Sequence, residues 1–195
     1  MSENVAQIKN NAPSEIDVYR LFDGLFKKIY GDLVAVTATK PTQVIFEIEA
    51  AFSHIVVANL YPDQRDQNIG KAIGHIQRAT FDSAKILWLE YKQRLDNVAS
   101  DSDIRKFCVN CPESDFVKKY YEAEELAREA RRMELDGVGR DPSRALEKYF
   151  DAAQAFKEAH ALIDRDKLNS FRRFSLHYNF RKHIVGFASG PPVSG

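Results

Sequence analysis

A long run of apolar residues at helical spacing constrains the fold of this chain more than any other feature. From Ile69 to Leu95 an apolar side chain recurs every three or four residues, which is the period of an α-helix that buries one face. The run lies between Asp63 and Val98 and is longer than the usual globular helix. It predicts either one long central helix or two helices broken near Thr80.

Five further segments show the same spacing, so the sequence predicts an all-α bundle of about six helices. These segments begin near Ser14, Pro41, Pro112, Pro142 and Leu168. A proline in the first turn, or a serine before it, is typical of a helix start. The first predicted helix stops at Gly31. Residues 33–48 leave a second possibility open, because β-branched residues are frequent there and apolar and polar positions alternate, which favours a small β-hairpin.

The order of these segments predicts two halves. Residues 1–98 form an N-terminal helical half, and the polar residues 99–112 form a linker. Residues 112–187 form a helical hairpin followed by a basic helix. Residues 188–195 are rich in Gly, Pro and Ser, and we expect a flexible tail there.

Composition narrows the possible partners and compartments. The chain has 195 residues, with 28 basic and 28 acidic side chains, so no overall field attracts it to nucleic acid or to a membrane. The first fifteen residues lack a basic cluster followed by an apolar run, which favours the cytoplasm. The apolar stretch Val44–Tyr61 contains polar residues that are costly in lipid, so we expect no membrane span; these are Glu47, Glu49, His54 and Asn59.

Cys108 and Cys111 are the two cysteines of the chain and have the spacing C-x-x-C. Half of a zinc site and a redox pair both use this spacing, but a structural zinc site needs four ligands and no second pair exists. We therefore expect two ordinary thiols, with no metal and no cofactor. No phosphate-binding loop, dinucleotide motif, nucleophile elbow or zinc-protease motif is present in the sequence.

Residues 127–161 carry a glycine-rich turn, Asp141, an Ala-Leu pair, aromatic residues and a double alanine. This pattern resembles one helical hairpin of the Sel-one-like subclass of tetratricopeptide-like proteins. The resemblance implies two nested helices that serve protein interaction. The aromatic side chains Tyr149 and Phe156 are the expected interface residues of this hairpin.

Gly70 and Gly74, on the long helix, leave a bare face that fits close packing or a dimer contact.

The C-terminal helix is basic, and Arg173, His177 and Arg181 share one face at spacings of four residues. This face predicts contact with phosphate groups or RNA, although docking against the acidic residues of the preceding helices explains it as well. Arg172 and His177 have the spacing of the HEPN ribonuclease motif, and the central segment around His75 loosely resembles HEPN bundle helices. That resemblance implies a metal-independent dimeric endoribonuclease or toxin, with Arg172 on the phosphate and His177 in cleavage.

These patterns favour a non-enzymatic all-α interaction protein, an accessory or adaptor subunit that binds a protein partner or a second copy of itself. The HEPN-like endoribonuclease is the alternative. The two differ in whether Arg172 and His177 meet at one site.

Overall fold

The computed structural model describes residues 13–136 and 143–174. This part of the chain contains seven α-helices and no β-strand, which confirms the all-α bundle. The helices are α1 (Glu15–Leu21), α2 (Lys27–Thr37), α3 (Thr42–Leu60), α4 (Arg65–Ser100), α5 (Ser102–Cys108), α6 (Glu113–Asp136) and α7 (Ser143–Ala161). Residues 165–174 are helical as well; we call them the C-terminal segment.

The chain from α1 to α2 is continuously helical, because a π-helical turn at Phe22–Phe26 joins them. The β-hairpin considered for residues 33–48 is wrong, as is a helix end at Gly31. Ile29 and Leu33 are both buried one turn apart, so the apolar stripe simply continues past the glycine. α2 ends where Ala38 adopts the left-handed conformation, with a φ of 55°.

α4 is an unbroken helix of 36 residues, so the break considered near Thr80 is wrong and the long central helix is confirmed. Thr80 and Ser83 are buried polar residues in its middle. Their hydroxyl groups donate hydrogen bonds of 2.6 Å and 2.7 Å to the carbonyl groups four residues earlier. Both hydroxyls are therefore satisfied inside the helix without breaking it.

Two apolar cores lie along α4. The first half of α4 packs with α1, the π-helical turn and α3, and the second half packs with α2, α6 and α7. The two cores divide between Ala79 and Ala84, inside the long helix. The segment 99–112, predicted as a linker, contains the short helix α5.

The end of α5 is bound to the end of α7 by a pair of backbone hydrogen bonds. Asn110 N–H donates to the Leu162 carbonyl and Asp164 N–H donates to the Cys108 carbonyl, each at 2.8 Å. Asp164 then caps the C-terminal segment, because its carboxylate accepts the Lys167 N–H at 3.0 Å. The start of the C-terminal segment is thereby fixed beside α5.

Candidate functional site

Two stripes of mainly polar residues line one cavity of about 470 Å³. Each stripe has the spacing i, i+3, i+4, i+7, so each occupies one side of its helix. We call the cavity the basic cleft. α4 contributes Glu90, Gln93, Arg94 and Asn97, the C-terminal segment contributes Arg165, Leu168, Asn169 and Arg172, and His160 and Ile163 complete the lining.

The lining of the basic cleft has an excess of positive charge. Glu90 is its single carboxylate, and it accepts a hydrogen bond of 3.0 Å from Arg94 Nε. Arg94 Nη2 also donates to the Val36 carbonyl group at 2.6 Å, which fixes the guanidinium. Arg165 and Arg172 are exposed, and neither forms an ion pair within residues 13–136 and 143–174. Three arginines and one glutamate give the lining a formal charge of +2 with His160 neutral.

His160 lies at the end of α7, with its ring centroid 5.5 Å from that of Tyr91. Burial lowers the pKa of His160 below its usual 6.5, and the positive charges of Arg165 and Arg94 lower it further. The imidazole is therefore neutral at pH 7. The positive charge of the cleft at that pH comes from its guanidinium groups.

The structure separates two neighbouring residues that we predicted as phosphate contacts or catalytic groups. Arg172 lines the basic cleft, whereas Arg173 is exposed and does not line it. His177 and Arg181 lie outside the described residues. The catalytic pair of Arg172 and His177, and the stripe of Arg173, His177 and Arg181, therefore stay predictions.

The aromatic residues predicted as an interface lie in the core. Tyr149 and Phe156 are 1% and 0% exposed, and their rings stack on Trp88 of α4 at centroid distances of 6.3 Å and 6.1 Å. This is a correction, because both rings are taken up by packing between α4 and α7. Neither is on the surface of the described structure.

Gly70 and Gly74 do not bring another helix close. Gly70 is exposed, and a β-carbon placed on it would have no atom within 4 Å. A β-carbon on Gly74 would lie 3.5 Å from Arg78 Nη1, which is ordinary van der Waals contact. Close packing inside the bundle therefore does not explain the two glycines, and their role in an interface between chains stays a prediction.

α6 and α7 pack through small side chains, as the predicted helical hairpin requires. Lys148 Nζ contacts the Glu129 carboxylate at 3.0 Å across the pair. The glycine-rich turn between the helices lies outside the described residues. The buried alanines of the pair are Ala123, Ala127, Ala130, Ala145, Ala152, Ala153 and Ala159.

A second surface of interest is the solvent side of α3, where large apolar residues are interspersed with the exposed Glu49 and Ser53. We define the outer face of α3 as four large residues that lie within about 120° of one another at 100° per residue; Phe46, Phe52, Val56 and Leu60 are 62%, 65%, 39% and 66% exposed. Beside it runs an apolar groove of about 470 Å³ between α3 and the π-helical turn with α2. The groove is lined by Phe22, Phe26, Lys27, Tyr30, Val44, Ile45, Ile48, Glu49 and Phe52.

The opposite side of α3 is packed on α4. Val44, Ala51 and Ala58 are buried there. Glu47 Oε2 lies 2.7 Å from His75 Nδ1 and accepts a hydrogen bond of 2.9 Å from Arg78 Nε. The polar residues that interrupt the apolar sequence of α3 thus include a carboxylate used to hold α3 against α4.

α3 is also the one helix of the described chain that is long and apolar enough to cross a membrane by length and composition. Those two criteria are weak evidence, because core helices of soluble proteins meet them as well.

Among the described residues, no group of three or more His, Cys, Asp or Glu side chains could hold a metal ion. Cys108 is buried, and burial raises the pKa of its thiol.

Sequence reasoning missed the basic cleft and the outer face of α3. The signal was present, since Glu90, Gln93, Arg94 and Asn97 and their counterparts at 165–172 follow helical spacing. The sequence alone does not show that these two stripes face each other, because they are distant in the chain.

Comparisons of this chain with protein-family models, with curated proteins and with solved structures gave no match. The resemblance of residues 127–161 to a Sel-one-like hairpin and the HEPN-type resemblance therefore stay predictions. The chemistry of the basic cleft and of the outer face of α3 is what bears on function.

Proposed function

We propose that this chain is a non-enzymatic interaction protein, an accessory or adaptor subunit, whose outer face of α3 binds an amphipathic helix of a protein partner. The observation that supports this is one helix that carries large apolar residues on two sides. One side is buried against α4, and the other presents Phe46, Phe52, Val56 and Leu60 to solvent. Several large apolar side chains exposed on one face of a helix are typical of an interaction site.

The shape of the patch favours a helical ligand. Phe46 and Leu60 are 14 residues apart on α3, which corresponds to about 21 Å along the helix axis. The apolar groove runs beside this ridge and includes Phe52 in its lining. A ridge of about four turns, with the groove beside its first two turns from Val44 to Phe52, fits the helix-in-groove mode, in which apolar residues at i, i+3, i+4 and i+7 of the ligand provide the contacts.

The distribution of exposed apolar residues gives the same indication. Eight of the thirteen large exposed apolar residues of the described chain lie between Ile16 and Tyr61. The other five are scattered over the remaining helices, as is normal for a protein surface; they are Leu89, Phe107, Tyr121, Leu135 and Phe174.

The experiment places a photo-reactive amino acid at position 52 and, as a matched control, at position 107. Phe52 and Phe107 are 65% and 64% exposed, but only Phe52 belongs to the outer face of α3. In the native host we expect position 52 to cross-link to one protein, through a segment with an apolar face at helical spacing. Position 107 should give no such product.

The cross-linked segment is then made as a peptide and titrated against the purified chain. Phe52→Glu should weaken its binding by tenfold or more, because burial of a phenylalanine side chain contributes about 1.5–3 kcal/mol. Phe107→Glu should leave binding unchanged. Cross-links from position 52 to a second copy of this chain alone, or equal effects of the two substitutions, would contradict the proposal.

A further inference from the structure

The basic cleft carries positive charge that no group in the described part of the chain neutralises. The carboxylate of Glu90 is already engaged by Arg94. Arg165 and Arg172 lie two turns apart on the same side of the C-terminal segment and both line the cleft. Guanidinium groups bind phosphate oxygens in bidentate geometry, so two unpaired arginines on one wall suit a phosphate ligand.

The rest of the lining suits a small organic molecule. The cavity of about 470 Å³ has the size of typical small-molecule sites. Ile163 and Leu168 provide apolar surface within the same lining. Amide groups of Gln93, Asn97 and Asn169 offer further hydrogen-bond donors and acceptors.

We propose that the basic cleft binds a small phosphate monoester, with its phosphate on Arg165 and Arg172 and its apolar part against Ile163 and Leu168. Arg94, held by Glu90 and by the Val36 carbonyl group, provides a fixed positive charge on the opposite wall. This inference is independent of the proposed function, because no residue of α3 takes part in the cleft.

The geometry favours a small ligand over a nucleic-acid strand. A strand needs a row of cations that follows its backbone on an open surface. Here the cleft has a wall on each side, and Arg173, the next cation along the segment, lies outside it. The chain also has a formal net charge of zero, so it lacks a general attraction for polyanions.

The test is isothermal titration calorimetry of the full chain at about 50 mM salt, where phosphate contacts are strong. The probes are phenyl phosphate, phenol, inorganic phosphate and a single-stranded oligouridylate. We expect phenyl phosphate to bind, inorganic phosphate to bind more weakly, and phenol to give no signal. Arg165→Gln and Arg172→Gln should each weaken phenyl phosphate binding by about tenfold or more, since each removes a charge-assisted contact.

Arg173→Gln is the matched control, because Arg173 neighbours Arg172 but does not line the cleft. It should change the affinity by less than about twofold, as expected for a charge partly screened by salt. Circular dichroism of each variant establishes that the exposed substitutions leave the fold intact. The proposal is overturned by the absence of phenyl phosphate binding at millimolar concentration or by equal losses in the three variants. It is also overturned if inorganic phosphate binds as tightly as phenyl phosphate, or if oligouridylate binds more tightly and requires Arg173.

Discussion

The hydroxyl group of Tyr149 donates a hydrogen bond of 2.7 Å to the carboxylate of Glu134 and thereby links α7 to α6. The same carboxylate accepts hydrogen bonds from Lys85 of α4 and from Arg131. Burial acts to raise the pKa of Glu134, but the hydrogen bonds from Lys85, Tyr149 and Arg131 outweigh it and lower the pKa. Burial together with the Glu134 carboxylate raises the pKa of Tyr149 to about 12. Three helices therefore meet at one ionised carboxylate.

Removing this hydroxyl tests the link between the helices. Tyr149→Phe keeps the buried ring and should lower the free energy of unfolding by about 1.5–3 kcal/mol, the usual contribution of a hydrogen bond to a charged group. Urea unfolding followed by circular dichroism measures the change. Tyr121→Phe is the control, because Tyr121 is 59% exposed. Equal stability of the two variants would show that the Tyr149 hydroxyl contributes nothing.

The lowered pKa of His160 predicts a loss of stability in acid. The unfolded chain binds a proton at His160 near pH 6.5, whereas the folded chain binds it only at lower pH. Protonation therefore favours the unfolded state, and stability falls as the pH falls from about 6.5 toward the folded pKa. The urea midpoint of the wild type should drop more between pH 7.5 and pH 5.5 than that of His160→Gln. A parallel drop in both proteins would contradict the assignment.

Gly70 is a helix-interior glycine with open space around it, so alanine should improve the fold. Gly70→Ala should raise the free energy of unfolding by about 0.5–1 kcal/mol, through higher helix propensity and a less flexible unfolded chain. Thermal denaturation measures this. Sedimentation of the same variant tests the predicted interface, because an added methyl group would weaken a contact between copies that needs the bare glycine. A decrease in monomer stability would show that the site is not open.

Substitution by glycine should stabilise the fold at position 38, although it destabilises ordinary helix positions. The φ of 55° at Ala38 is strained for alanine but not for glycine. Ala38→Gly should therefore raise the free energy of unfolding by about 0.5–1 kcal/mol, whereas Ala35→Gly, inside the same helix α2, should lower it by about 1 kcal/mol. Chemical denaturation of the two variants side by side measures both signs. If Ala38→Gly also destabilises, α2 does not end at this residue.

Helical periodicity was sufficient to predict the longer helices, including α4, but it missed the short helix α5 and did not predict where α2 ends. The β-branched residues after Leu33 favour a strand by propensity. Ile29 and Leu33 are nevertheless buried on the same side of α2, and this burial keeps the segment helical. Tertiary packing decided between two local preferences of similar strength. The division of the cores inside α4 depends on which helices pack on each half, and a single sequence does not contain that information.

The candidate sites show the same limit. The stripe that contains Arg94 and the stripe that contains Arg172 are each visible in the sequence, but their pairing depends on the backbone contact between Val109 and Ile163. That contact joins residues 54 positions apart. Tyr149 and Phe156 at helical spacing fit a core or an interface equally well. They belong to the core because α4 packs on α7 and places Trp88 against both rings.

Because α4 is unbroken, it fixes the distance between the outer face of α3 and the basic cleft. α3 packs on the part of α4 around Ile73, and the α4 residues of the basic cleft are centred near Arg94, so the middles of these two regions lie about 32 Å apart along the α4 axis at 1.5 Å per residue. No small molecule bridges that distance. A single polypeptide that occupied both surfaces would need a connecting arm of roughly ten extended residues, and shortening that arm would force it to release one of them.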